Sequence, residues 1–99
     1  MCHLSSSVNL RGAGFRDARL DDADLRGARL GGAFLIGASL RGANLSGAYV
    51  RSAKFDGADL SGANLDKVVG LTQAQFDRAR WDNRTRLPKG VRGTRDDEG

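Results

Sequence analysis

The chain has 99 residues, fourteen of them glycine and one proline, and a formal net charge of +4, the size of one small domain. Only 39% of the residues are hydrophobic and 6% aromatic, too little bulk for an ordinary two-layer core at this length. One cysteine and one histidine exclude an intrachain disulfide and a multi-cysteine zinc site, and remove most histidine-based catalysis.

Residues 1–7, MCHLSSS, have neither a basic start nor an apolar stretch, so they do not read as a secretory leader. No apolar run approaches the roughly 18 residues that a membrane span needs, and a cytoplasmic protein is expected. The segment reads as a flexible lead-in. Cys2 and His3 have no further ligand beside them, and Ser5, Ser6 and Ser7 have no base in their own segment.

From Val8 the chain divides into fives: VNLRG, AGFRD, ARLDD, ADLRG, ARLGG, AFLIG, ASLRG, ANLSG, AYVRS, AKFDG, ADLSG, ANLDK. Twelve units run to Lys67 without insertion or deletion. The first position is Ala in all but the Val8 unit, the third is always apolar, and Gly closes eight units. A period of five fits neither a helix at 3.6 nor a plain strand at 2. It fits a chain that turns a corner in every unit. The first and third positions of an extended stretch point to one side, and Gly at the fifth allows the positive φ of a tight corner. Small Ala crowds toward an axis while Leu or Phe fills the space between, so the unit builds a solenoid with a narrow interior. The second and fourth positions face water.

These twelve A-[polar]-L-x-G units resemble the pentapeptide-repeat family over residues 8–67. The resemblance implies an all-β solenoid: a right-handed, four-sided parallel β-helix with four pentapeptides per coil. Twelve units then make about three coils. At about 4.8 Å per coil the body is a stub about 14 Å tall.

Residues 68–88 break the period and read as a C-terminal cap. Thr72 and Gln75 are spaced as a capping box, with Leu71 and Phe76 placed as its hydrophobic staple. A short α-helix is expected over about 73–80, followed by a turn at Asp82-Asn83 and an extended return through Leu87 to Pro88. GLTQAQFDRARWDNRTRLP also resembles the family's C-terminal cap, with Phe76, Trp81 and Leu87 covering the last coil or, on the alternative reading, meeting a second copy. Residues 89–99, KGVRGTRDDEG, are polar and read as a disordered tail. The opposite end is the harder one to close. Seven residues cover a coil only in part, even with Leu4 among them. The sequence therefore leaves three readings: a homodimer through that end, a partner seated on it, or a longer natural array.

Stacking residues twenty apart gathers Arg11, Arg16, Arg29, Arg51 and Lys54 against Asp17 and Asp56 on two adjoining sides. Phe34, Ile36 and Tyr49 break the polar rule there, and Arg29 and Arg51 rim them. Together these five are the candidate patch for a protein partner, set against incidental apolar residues in a tolerant repeat. Nucleic acid is the weaker reading, because acidic and basic residues interleave and aromatic platforms are scarce. Family members that protect DNA gyrase are thought to imitate the negative charge of duplex DNA, and a short chain with a net charge of +4 fits that role poorly. Asp21-Asp22-x-Asp24 lacks the remaining ligands of a calcium loop and reads as a solvated charge run. The glycines of Gly12-Ala13-Gly14 are corner residues rather than a phosphate loop. No catalytic, cofactor-binding or metal-binding residue is assigned and no cofactor is expected. The reading is a non-enzymatic scaffold or protein-interaction module whose partner the sequence does not name.

Overall fold

A computed structural model describes residues 8–92. The expectations for Leu4, Cys2, His3, Ser5, Ser6 and Ser7 lie outside the described residues, as do those for residues 93–99. Within the repeat, each unit ends in a hydrogen-bonded turn. The N–H of the next unit's first residue donates to the carbonyl of the third position, at 2.9–3.1 Å, at all twelve corners. The fifth position carries a positive φ at every one of these corners, from 57° to 73°. Positive φ at the third residue of a bonded four-residue turn is the type II geometry, which favours Gly. Four corners use another residue: Asp17, Asp22, Ser52 and Lys67.

Between corners the chain is extended for too short a distance to form a long strand. Instead it pairs in parallel, one residue per side, with the residue twenty places on within the repeat and 20 to 22 places on where the cap takes over. Leu40 N donates to Asp59 O at 2.8 Å, and Asp59 N to Ala38 O at 2.9 Å. Four ladders result. The first runs Asn9, Arg29, Tyr49, Val69; the second Gly14, Phe34, Lys54; the third Arg19, Ser39, Asp59, Arg80; the fourth Asp24, Asn44, Asn64, Arg86. Twenty residues per circuit is four pentapeptides per coil.

First-position alanines and third-position leucines line the axis as the unit pattern requires. Ala33, Leu35, Ala38, Leu40, Ala43 and Leu45 are fully enclosed. Each buried Leu contributes about 1.5–3 kcal/mol relative to exposure. The first coil differs, since Leu10, Ala13, Phe15 and Ala18 are only half-buried.

The cap supplies much of a fourth layer. Val69, Arg80 and Arg86 continue three ladders, and the second stops at Lys54, where α1 (Gln73–Asp77) takes its place. Thr72 Oγ1 accepts from Gln75 N at 3.1 Å, and Gln75 Oε1 accepts from Thr72 N at 2.7 Å, which closes the box at the helix N-terminus. Gln75 Nε2 also donates to Val50 O at 3.0 Å and Ala53 O at 2.8 Å; Val50 O already accepts the turn bond from Ala53 N, and Ala53 O is the carbonyl that a further coil would otherwise meet. Phe76 is fully buried and stacks on Trp81, ring centroids 5.2 Å apart, while Leu71, Trp81 and Leu87 are half-buried against the core.

The cap differs from the sequence expectation in two places. The helix ends at Asp77 rather than near residue 80. Beyond it, Arg80 N donates to Ala58 O at 2.7 Å and Leu60 N to Arg80 O at 2.6 Å, so the open edge of the third coil wins over another helical turn. The cap also extends further than residue 88. Pro88 and Val91 are buried, and Gln73 bonds the backbone of Arg92 through both side-chain atoms, at 2.8 and 2.9 Å. Residues 89–92, read above as the start of a disordered tail, thus belong to the cap.

Candidate interaction groove

The first ladder and its corner shape a hollow on the outer wall. Arg11 and Arg51 occupy the same corner position two coils apart, and the coil between them has Gly31 and Gly32 there. A Cβ at Gly31 would stand 3.7 Å from Arg51 O and 3.9 Å from Arg11 Cγ. With no side chain at either glycine, bare backbone forms the floor of an open groove of about 710 Å³. Arg29 and Tyr49 form one wall, Arg11, Arg51 and Ser52 the other, and Val69 closes the upper end.

The cap fixes that upper end. Gly70 follows Val69 with φ at +88°, and a Cβ there would lie 3.0 Å from both the Cα and N of Arg51. Only glycine combines the left-handed backbone with so close an approach. Gly70 thereby holds Val69 over the groove and presses the cap onto the residue that lines it.

The groove is basic without local compensation. Arg11, Arg29 and Arg51 are exposed. Among the described residues the ion pairs lie elsewhere: Arg26–Asp24, Arg41–Asp59, Arg78–Asp56 and Arg84–Asp82, at 2.8 to 3.7 Å. Tyr49 and Val69 are 50% and 40% exposed, so the groove also presents apolar surface beside its cations.

Of the candidate patch, the groove brings together Arg29, Tyr49 and Arg51. Phe34 stands on the next side, 37% exposed, with the Arg16 guanidinium 5.6 Å from its ring centre. Ile36 is half-buried at the following corner. Neither lines the groove. Val69 lies past the last pentapeptide, which ends at Lys67, and its one signal in the sequence is that it stands twenty residues beyond Tyr49. Arg11 carried the same signal, twenty residues before Gly31 and forty before Arg51.

A second hollow, at the corner between the third and fourth ladders, is lined by Asp21, Asp22, Arg41, Ser61 and Arg84 among others. Its charges are compensated locally. Ser39 Oγ donates to Asp21, and Arg41 reaches Asp59 at 3.5 Å. Asp59 sits below its ordinary pKa, chiefly because the Ser61 hydroxyl donates to its carboxylate at 2.6 Å. For Asp82, burial acts to raise the pKa, but backbone N–H groups of Arg84 and Gly62 more than offset it and the net direction is downward. The carboxylates read as a solvated run are thus partly engaged: Asp21 by Ser39, and Asp24 by Arg26 at 2.8 Å. No cluster of three or more metal-ligating side chains occurs among the described residues. No helix among them is long and apolar enough to cross a membrane.

The family model "Pentapeptide repeats (8 copies)" matches residues 6–42, 18–57, 35–69 and 43–80, which together cover most of the chain. The chain belongs to the pentapeptide-repeat family. Solved pentapeptide-repeat proteins are right-handed quadrilateral β-helices, and the four parallel ladders match that form. Rfr23 from the cyanobacterium Cyanothece 51142 is 31% identical with a TM-score of 0.71, over 80% of this chain and 53% of its own. This pentapeptide-repeat chain therefore spans about half the length of Rfr23. A pentapeptide-repeat protein of the Arabidopsis thaliana thylakoid lumen is 28% identical with a TM-score of 0.77, over 97% of this chain and 71% of its own. Trypsin-treated QnrB1, a plasmid-mediated fluoroquinolone resistance protein, is 26% identical with a TM-score of 0.63, over 79% of this chain and 39% of its own. No curated protein sequence matches the chain.

Proposed function

We propose that this pentapeptide-repeat protein is a non-enzymatic module that presents its outer wall to a protein partner. The observation that carries the reading is the groove of Arg29, Arg51, Tyr49 and Val69, held on ladders whose interior is filled by Ala and Leu. An ordered wall loses little conformational freedom when a partner docks, and Tyr and Arg are the residue types enriched at binding hot spots. The test is capture of protein from the native source by the immobilised chain, beside a variant carrying both Phe34→Ser and Tyr49→Ser. The side chains of both residues are exposed, so the variant folds. A partner retained by the parent and lost by the variant supports the reading. A partner held equally by both, or none at all, overturns it.

The likeness to QnrB1 favours a second reading, contact with a DNA topoisomerase as seen in the gyrase-protecting members of the family. A net charge of +4 and an arginine-lined groove weigh against imitation of DNA. Protection of gyrase supercoiling from a fluoroquinolone by the purified chain would move the assignment to this reading.

A further inference from the structure

We infer that the groove takes an acidic segment of a polypeptide whose run of carboxylates ends in an apolar residue. This rests on the reading of the chain as a protein-binding module and names the chemistry of the partner. The groove is ordered along the solenoid axis. Arg11 lies at the level of the first coil, Arg29 at the second, Arg51 and Tyr49 at the third, and Val69 in the cap layer. Its lower part is therefore cationic and its upper end apolar. The three guanidinium groups have no carboxylate partner among the described residues, so an incoming anion breaks no existing ion pair. From Arg11 to Arg51 is two coil spacings, about 9.6 Å, which an extended peptide covers in about three residues. Planar arginines bind carboxylates with two parallel N–H donors, and the glycine floor leaves room for a backbone to lie against the wall.

The same upper end separates a peptide from a nucleic acid. A phosphate backbone satisfies the arginines as well as carboxylates do. A base can stack on Tyr49, but a nucleotide offers nothing to Val69, which presents neither a ring nor a hydrogen-bonding group. An aliphatic side chain at the end of an acidic run fills that place and packs on Tyr49 as well.

The test is fluorescence anisotropy on the full chain with three labelled probes: a short oligo-glutamate with a leucine at one end, the same peptide without the leucine, and a single-stranded oligonucleotide. The leucine-ended peptide is expected to bind tightest, and raised salt should weaken it. Arg29→Ala with Arg51→Ala should lower its affinity by about tenfold or more, the loss typical of a removed charge-assisted contact. Arg86→Ala, on the fourth ladder, should leave it unchanged. Thermal melts of the variants verify that the fold is retained. Peptide binding indifferent to the Arg29 and Arg51 changes, or tighter binding of the oligonucleotide through those arginines, overturns the inference. So does concentration-dependent self-association that Tyr49→Ser abolishes, since a second copy would then occupy the groove. If no peptide binds while a captured partner still depends on Tyr49, the protein-binding reading stands and the acidic-segment inference falls.

Discussion

Ala38 illustrates what a single position in the body demands. Its methyl group is fully enclosed, and the same place one coil below and above belongs to Ala18 and Ala58. A larger side chain there must displace packed neighbours, so Ala38→Leu is expected to lower stability by about 1–3 kcal/mol in denaturant unfolding. Gly70 sets the corresponding limit for backbone. Its φ of +88° and the 3.0 Å approach of an added Cβ to Arg51 predict that Gly70→Ala costs about 1–2 kcal/mol from the left-handed conformation alone. The variant should also loosen Val69, measurable as a change in its methyl NMR signals. Much at this scale was legible, because the Ala, Leu and Gly register shows which atoms face inward. The use of Asp17 and Asp22 was not. Their carboxylates project over the corner above, where a Cβ at Gly37 or Gly42 would collide with them. That pairing of residues twenty apart leaves no trace in either pentapeptide alone.

Among the elements, the cap shows most clearly where local pattern stops being informative. Thr72 and Gln75 announce the helix start within four residues of sequence, and the box forms as spaced. The end of the helix follows instead from Ala58 O and Leu60 N, some twenty residues earlier in the chain, which engage Arg80. No local signal carries that competition. Gln75 faces both ways, and Gln75→Ala should leave Val50 O and Ala53 O without their side-chain donor as well as opening the box. A loss of about 1–3 kcal/mol is expected in thermal or denaturant melts. The cap and its neighbouring ladder also contribute to the acid response. Asp59 and Asp82 lie below their ordinary 3.8 when folded. The native state therefore holds fewer protons at these groups than the unfolded chain. Their contribution is complete above 3.8 and fades as pH falls through the lower folded values. The melting temperature should drop below about pH 4, and replacing both residues by Asn should shrink that drop.

Across the whole molecule, hydrogen bonding and burial are graded along the axis. The second and third coils have ladder partners on both faces, and Gln75, Arg80 and Arg86 close the upper edge. In the first coil the amides of Asn9, Gly14 and Arg19 find no partner among the described residues, and Leu10 and Phe15 are half-buried. Among the amides of the ladders, hydrogen exchange should accordingly be faster at Asn9, Gly14 and Arg19 than at Leu40 and Asp59. Equal protection in all coils would show that the first is sealed as well as the last. At this scale the four sides came from the resemblance to the repeat family, and counting in twenties from them foretold the basic half. It did not foretell which side chains share one hollow. That hollow depends on what Gly31 and Gly32 lack and on a valine contributed after the repeat has ended.

The twenty-residue register between vertical neighbours has a consequence for how such a chain can be altered. A single extra residue after Gly42 would rotate every later leucine out of the column, whereas a duplicated circuit of twenty would add one storey of about 4.8 Å and disturb no corner. Height is thus adjustable in whole steps, much as a ruler is lengthened by its own divisions. An added storey between Arg29 and Arg51 would move the groove's two lower guanidinium groups away from its upper one by a known increment and leave the chemistry of each untouched.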